Sequence, residues 1–299
     1  MNKIGLSTKV VQDRPMREAA EIAARCGYAG LEIFGVPNHL PPETTDADAR
    51  AYRRLFDDLG LETVTICSYA GGFAEGSDAD AAREIELFRR YLEMADALGC
   101  RMVRLWADRL GRALREPRED HWLRAAHYLG IAADHALEAG VSVLLENHLT
   151  MTISADRTLR LIRLIGRPNV VVNFDPGNMH LAGEAYGRAA TLRLRPHIGN
   201  VQVKEGGLAS APPAGEGRGD ATLSRGGSYD RLLGEGDMDH FSYLGPLAET
   251  GYDGYYMAEC HKNPTAEWPS DRIAEHEFEA LARLLDEAAR AARAAAAVP

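Results

Sequence analysis

The chain has 299 residues, 45% hydrophobic and 26% charged, with 34 Lys and Arg against 44 Asp and Glu and a formal net charge of −10. That length and apolar content suffice for one large barrel-type core, so a single domain over 1–299 is expected. The acidic balance, with Arg residues interleaved among Asp and Glu, argues against a nucleic-acid partner and against an acidic membrane surface.

Short apolar runs alternate with helical patterns along the chain. KIGLS (3–7) precedes the helical PMREAAEIAARCG (15–27), and AGLEIFG (29–35) precedes TDADARAYRRLFDDLG (45–60). ETVTICSYA (62–70) leads to a helix within 80–99, CRMVRLWAD (100–108) to one near 119–139, and VSVLLENH (141–148) to one near 155–166. The last three strands are VVVNFD, IGNVQVK and GYYMAEC. The helical patterns stop at Gly27, Gly60, Gly99 and Gly140, the residue type that supplies the left-handed backbone past a helix end. Eight such units in this length predict an α/β fold, a closed (β/α)8 TIM barrel, rather than an open doubly wound sheet. No GxGxxG follows the first strand, so no dinucleotide site is expected.

Two segments break the rhythm. Residues 205–236 are rich in Gly and poor in aliphatic side chains, and a connection of that length is a lid, a binding loop or a passive insertion. It leaves the strand that carries Gln202, so as a lid it would hang over the barrel mouth. Residues 276–297 form an Ala-rich amphipathic helix that packs on the barrel exterior or on a partner subunit. Cys26, Cys67, Cys100 and Cys260 show no paired or CxxC spacing and read as reduced thiols. The opening MNKIGLSTKV enters a strand directly, with no apolar stretch of signal-peptide or membrane-helix length, so a cytoplasmic protein is expected.

The chemistry gathers at strand ends. Glu146, Asp175, Gln202 and Glu259 each sit at the carboxyl end of an apolar run, the end of a parallel barrel where active sites are built. One strand-end Glu is ordinarily a helix cap or a surface ion pair. Four polar groups in the same position on consecutive strands point instead to convergence, and three carboxylates with an amide need a cation among them. A divalent metal is the simplest cation that fits. Residues two apart on a strand share a face, which pairs Glu146 with His148, Gln202 with Lys204, Glu259 with His261, and Arg104 with Trp106. The pattern is a ring of titratable groups above a ring of oxygen donors, an arrangement for proton transfer. His148 is equally a base or a structural hydrogen-bonder, and Trp106 is either core or, beside Arg104, a wall on which a sugar stacks. His180 and His197 read as structural.

The runs LLENH, NFDPGN, VQVKE, LLGEGDMDHFSYLGPLAETGYDGYYMAEC and GYAGLEIFG resemble the xylose-isomerase-like TIM barrels. The resemblance is strongest to the sugar isomerase and epimerase group that includes D-tagatose 3-epimerase, hydroxypyruvate isomerase and inosose dehydratase. It spans nearly the whole chain and is specific for the superfamily rather than for a substrate. It implies one divalent ion held by Glu146, Asp175, Gln202 and Glu259, with Glu146 and Glu259 moving the proton. Two departures stand out. Gln202 replaces the usual His ligand, and Asn178 stands where a substrate-binding His is common. An all-oxygen ligand shell favours Mn²⁺, with Mg²⁺ or Co²⁺ as the other candidates. A DNA-repair relative would need several His-rich metal sites and a basic face.

The expected activity is therefore metal-dependent isomerisation or epimerisation of a keto-sugar by proton transfer through an enediolate. Catalysis falls to Glu146, Glu259 and His148, and substrate binding to Arg104, Trp106, Asn178, Lys204 and His261. A metal-bound carboxylate is a weakened base, and His148 or His261 lacks that handicap. The alternative is a lyase that uses the same enediolate to expel water or the aglycone of a 3-keto-glycoside. The partner is a small keto-sugar or glycoside, with a homo-oligomer expected and a hetero-oligomer as the other assembly.

Overall fold

Strands that run parallel need a long crossover between them, and helices supply it here. In the computed structural model, which describes residues 3–109, 116–207, 228 and 230–296, eight strands close into a barrel in chain order, each parallel to both neighbours. The first half comprises β1 (Lys3–Ser7), a 3-10 turn (Thr8–Val11), α1 (Met16–Cys26), β2 (Gly30–Phe34), α2 (Asp46–Leu59), β3 (Glu62–Cys67), α3 (Asp78–Leu98) and β4 (Met102–Leu105). Then come α4 (Glu119–Glu138), β5 (Ser142–Glu146), α5 (Leu149–Thr152), α6 (Ala155–Ile165), β6 (Val170–Phe174), α7 (Pro176–Ala182) and α8 (Arg188–Leu194). A 3-10 turn (Arg195–His197), β7 (Ile198–Val203), α9 (Phe241–Glu249), β8 (Tyr255–Ala258) and α10 (Ser270–Ala296) complete the barrel.

Helix ends follow local chemistry. Ser77 and Asp80 form a reciprocal capping box at the start of α3, and the Thr45 hydroxyl accepts from the Asp48 amide at the start of α2. Gly27, Gly60 and Gly99 terminate α1, α2 and α3 with φ of 94°, 71° and 71°. At α4 the expected glycine stop shifts by one residue. Ala139, at φ −82°, is the C-cap, and Gly140 takes the left-handed turn beyond it. The short helices α5, α7 and α8 carry too few turns for a 3.6-residue pattern to show in the sequence.

Period-two alternation divides the strand residues between two environments. Val143 and Leu145 of β5, Val170, Val172 and Phe174 of β6, and Val201 and Val203 of β7 pack into the shell between barrel and helices. Each fully buried aliphatic side chain there stabilises the fold by about 1.5–3 kcal/mol. Inside the barrel, Val64, Tyr255 and Met257 pack with Met102 as a small apolar plug. Above the plug the interior is polar. Glu32 of β2 accepts from Gln202 Nε2 at 2.8 Å, Asn200 Nδ2 at 3.2 Å and Thr65 Oγ1 at 3.2 Å, and Asn200 also donates to Asn173 at 2.9 Å. A barrel interior that turns polar toward its carboxyl end marks where the chemistry lies.

Helix α10 begins earlier than the expected 276 and packs against α1 and α9 on the barrel exterior. Residue 297 lies outside the described residues, as do 208–227 and 229 of the long 205–236 connection. The described ends of that connection are tied down by two buried carboxylates. Glu205 accepts from the Gly206, Gly234 and Met238 amides and contacts His240 Nε2 at 3.0 Å, and Glu277 accepts from the Leu233 amide at 2.9 Å. Among the described residues no helix is long and apolar enough to cross a membrane.

Burial pushes the Glu277 carboxyl up to about 8. Its folded value thus exceeds the unfolded value of about 4.3, so the folded state holds an extra proton between them and loses stability as pH rises through that window. Glu277→Gln removes the titration. Denaturant melts from pH 5 to 8 should show the variant gaining on the wild type by at most about 1.4 kcal/mol per pH unit; a flat difference would show that no proton is held there.

Candidate active site

The site is assembled from the ends of β4 to β8. Three clusters of side chains meet there, and Asn178 joins the first two by hydrogen bonds.

The first cluster surrounds Glu146, the last residue of β5. Arg104 Nη1 lies 3.0 Å from Glu146 Oε2, and Trp106 Nε1 donates to the same oxygen at 2.8 Å. Arg104 is fixed from behind, since its Nε and Nη2 both donate to the Ser68 carbonyl at 3.3 and 3.2 Å. Its guanidinium is enclosed by the rings of Phe34, Tyr69 and Trp106, at 5.0, 5.3 and 5.0 Å from their centroids. Cation–π contact of this kind compensates part of the cost of burying the charge. His148 stacks on Trp106 at 5.3 Å with the planes 7° apart. Burial alone would raise the Glu146 carboxyl, but Arg104 and His148 outweigh it and hold it below the usual range.

The second cluster centres on Lys204. Its Nζ lies 2.6 Å from Asp175 Oδ2 and 3.1 Å from Glu259 Oε2, and all three residues are buried. The register of β7 and β8 causes this. Gln202 pairs with Met257 and Val203 with Ala258, so Lys204 falls beside Glu259. His261 Nε2 reaches Glu259 Oε1 at 3.2 Å. Two carboxylates share one ammonium, and their protons separate accordingly. Burial lifts Asp175 to about 7, only partly offset by Lys204. Burial also pushes on Glu259, but Lys204 and His261 together hold it far below the usual range.

Asn178 joins the clusters. Its amide N–H donates to Asp175 Oδ1 at 3.1 Å, so Asp175 caps α7, and its Nδ2 donates to Glu146 Oε1 at 3.3 Å. The expected substrate-binding position is thus a bridge between two of the expected metal ligands. Gln202 lies in the third cluster, with Nε2 bonded to Glu32. That bond leaves Gln202 Oε1 buried and without a hydrogen-bond partner among the described residues. His180 contacts Asp237 at 3.4 Å and His197 lies in the 3-10 turn, both away from these clusters.

Other residues join the site without having been singled out in the sequence. Glu32 is the acceptor beneath Gln202, and burial with the nearby Glu259 charge raises it to about 7. A carboxylate inside the otherwise apolar GLEIF was the available signal. Asn147 clamps β5 to β6, donating to the Asp175 carbonyl and accepting from the Asp175 amide, each at 2.7 Å. Lys9, in the turn after β1, is half-buried; burial, with Lys204 and Arg104 nearby, lowers it despite the Glu259 charge. Only its position near the end of β1 hinted at this.

The donors suit a hard divalent cation, with carboxylate oxygens from Glu146, Asp175 and Glu259 and the unpartnered Gln202 oxygen. As the side chains stand, no three His, Cys, Asp or Glu residues among those described form a metal-holding group. The Lys204 ammonium lies between two of the donors.

Comparison with known proteins agrees with this architecture. The family model for the xylose isomerase-like TIM barrel matches residues 20–284, and the chain belongs to that family. The rhizopine catabolism protein MocC of Rhizobium meliloti is 26% identical over 274 residues, 86% of this chain and 78% of that protein. An L-ribulose 3-epimerase of Mesorhizobium japonicum is 26% identical over 243 residues, 79% of this chain and 73% of that protein. Among solved structures, the IOLI protein with a bound zinc atom superposes with a TM-score of 0.77 at 15% identity, covering 95% of this chain and 98% of that one. At that identity the likeness is one of fold.

Arg104→Met tests the first cluster. It leaves the Glu146 carboxylate buried without its guanidinium, with Trp106 and Asn178 still donating to it, and breaking a buried pair in this way costs about 3–5 kcal/mol. Urea unfolding at neutral pH should show that loss, and Arg104→Met/Glu146→Gln should recover part of it. A loss below about 1 kcal/mol would mean that the pair contributes no more than a surface ion pair.

Proposed function

We propose that this chain is a divalent-metal-dependent isomerase or epimerase of a keto-sugar, moving a proton at the carbon next to a carbonyl. The observation that carries this reading is the set of buried carboxylates at the barrel mouth, each oriented by a named partner, together with the unpartnered Gln202 oxygen. The 26% identity to an L-ribulose 3-epimerase over most of both chains supports the substrate class.

Glu146, Asp175, Gln202 and Glu259 would hold the ion. Mn²⁺ is favoured by the all-oxygen donors, and the zinc bound in the IOLI structure, a protein of the same fold, supports a divalent ion. When bound, the ion supplies Lewis-acid polarisation of a substrate carbonyl, worth several kcal/mol.

The chain's own residues do the rest. Glu146 and Glu259 stand at the ends of β5 and β8, with β6 and β7 between them, and would flank a substrate placed at the mouth. Either can accept a proton from one face of the carbon and the other can return it to the opposite face, which gives epimerisation. Both carboxylates are held low by their cationic neighbours, which weakens them as bases. His148, stacked on Trp106 beside Glu146, is the third candidate base. Arg104 and Asn178 orient Glu146, and Trp106 presents its remaining surface to the sugar. Lys204 and His261 keep Glu259 ionised. The working protein is a cytoplasmic homo-oligomer in this proposal; its cysteines are unpaired, as a reducing compartment requires.

The test is a panel of ketoses and keto-glycosides incubated in D₂O with Mn²⁺ and read by NMR and mass spectrometry. A true substrate should take up solvent deuterium at the carbon beside the carbonyl and otherwise keep its mass. Loss of water or an aglycone would assign the lyase reaction instead. Turnover with full hydrogen retention would point to a hydride shift and overturn the proposal. His148→Ala then identifies the base: if His148 holds the proton, kcat falls by about 10² or more with KM little changed, and if the glutamates do, KM carries most of the effect.

A further inference from the structure

We infer that Lys204 is the resident cation of this site, and that a divalent ion binds only by displacing its ammonium from between Asp175 and Glu259. The inference rests on the metal reading proposed above and adds a competitor built into the chain.

Two sets of contacts lead there. The Lys204 Nζ lies 2.6 Å from Asp175 Oδ2 and 3.1 Å from Glu259 Oε2, so it contacts one oxygen of each of two expected ligands. The other oxygens are already engaged, Asp175 Oδ1 by the Asn178 amide and Glu259 Oε1 by His261. The oxygens that Lys204 contacts are thus the ones open to exchange with an incoming ion. A divalent ion seated on that pair at about 2.0–2.6 Å would repel an ammonium held against the same oxygens.

The lysine also has a built path to this position. A Cβ added at Gly177 would fall 2.7 Å from Lys204 Cγ and 3.0 Å from Cε, so the side chain runs along the bare backbone at the start of α7. The glycine in the Asp175-Pro176-Gly177-Asn178 turn thus gives the lysine stem the space to deliver its charge to Asp175. The Gln202 oxygen, unpartnered and buried, is left out of the lysine's contacts. An ammonium satisfies the two carboxylates and leaves the amide oxygen over. A divalent ion would use all three.

Removing the competitor should strengthen metal binding. Titration calorimetry with MnCl₂ on the full-length, chelator-treated protein should give a dissociation constant at least tenfold lower for Lys204→Met than for the wild type, and Lys204→Met/Glu259→Gln should lose that gain. Thermal melts give a second readout. Without metal, Lys204→Met should melt below the wild type because two buried carboxylates lose their cation, and excess Mn²⁺ should raise its Tm by more than it raises the wild type's. A Lys204→Met chain that is unfolded alone but folds when Mn²⁺ is added would support the inference equally; one that stays unfolded with Mn²⁺ would overturn it. Equal or weaker Mn²⁺ binding by a folded Lys204→Met would overturn the displacement and leave the metal site standing. No binding by any of the proteins would overturn both.

Discussion

Charge balance in the barrel mouth is the constraint on which the site depends. Four carboxyl groups, Glu32, Glu146, Asp175 and Glu259, are buried there together with two cations in direct contact with them, Arg104 and Lys204. A buried ion without a partner costs several kcal/mol, so four ionised carboxylates cannot be served by two cations. The molecule divides the burden unevenly. Glu146 and Glu259 take the cations and stay ionised, while Glu32 and Asp175 rise to about 7. Asp175 shares its ammonium with Glu259 and Glu32 contacts no cation directly, so the mouth holds more acid than fixed positive charge, and a divalent ion on the proposed ligands would balance it.

That balance reaches back into the fold. Arg104 can be buried because Phe34 and Tyr69, at the ends of β2 and β3, enclose it with Trp106, while the Ser68 carbonyl fixes its plane. Asp175 keeps its direction because Asn147 clamps its backbone and α7 begins on its side chain. Side chains from successive strand ends thus hold each of these carboxylates, so an error of one residue in register on β7 would replace Lys204 with an outward-facing neighbour.

The barrel was legible because its signals are repetitive. Eight apolar runs, helix stops at glycine and period-two alternation all point to one topology, and the observed strands fall within the runs read from the sequence. The strand-end positions of Glu146, Asp175 and Glu259 were legible for the same reason. The roles of Gln202 and Lys204 were not. Alternation put both on one face, but it carries no information on side-chain reach. Lys204 is long enough to cross to Asp175 and Glu259, whereas Gln202 turns its amide nitrogen down to Glu32. Glu32 itself became visible only once the closed barrel brought β2 across from β7, a contact spanning 170 residues.

The substitution of an amide for the family's usual imidazole acquires a physical meaning in this setting. A neutral imidazole on β7 could also donate to a carboxylate and offer its other nitrogen, but the atom it offered would be nitrogen rather than oxygen. Gln202 donates and offers an oxygen, so it links the deep carboxyl of Glu32 to the mouth through a single planar group. Replacing the imidazole also removes a borderline nitrogen donor, and an all-oxygen set would bind divalent ions more weakly and with less preference for zinc or copper. A weaker ion is one that a lysine can rival. On the proposed reading, Gln202 near the end of β7 and Lys204 just beyond it would act on the same equilibrium: one would lower the affinity for the ion, and the other holds the carboxylates that the ion would take.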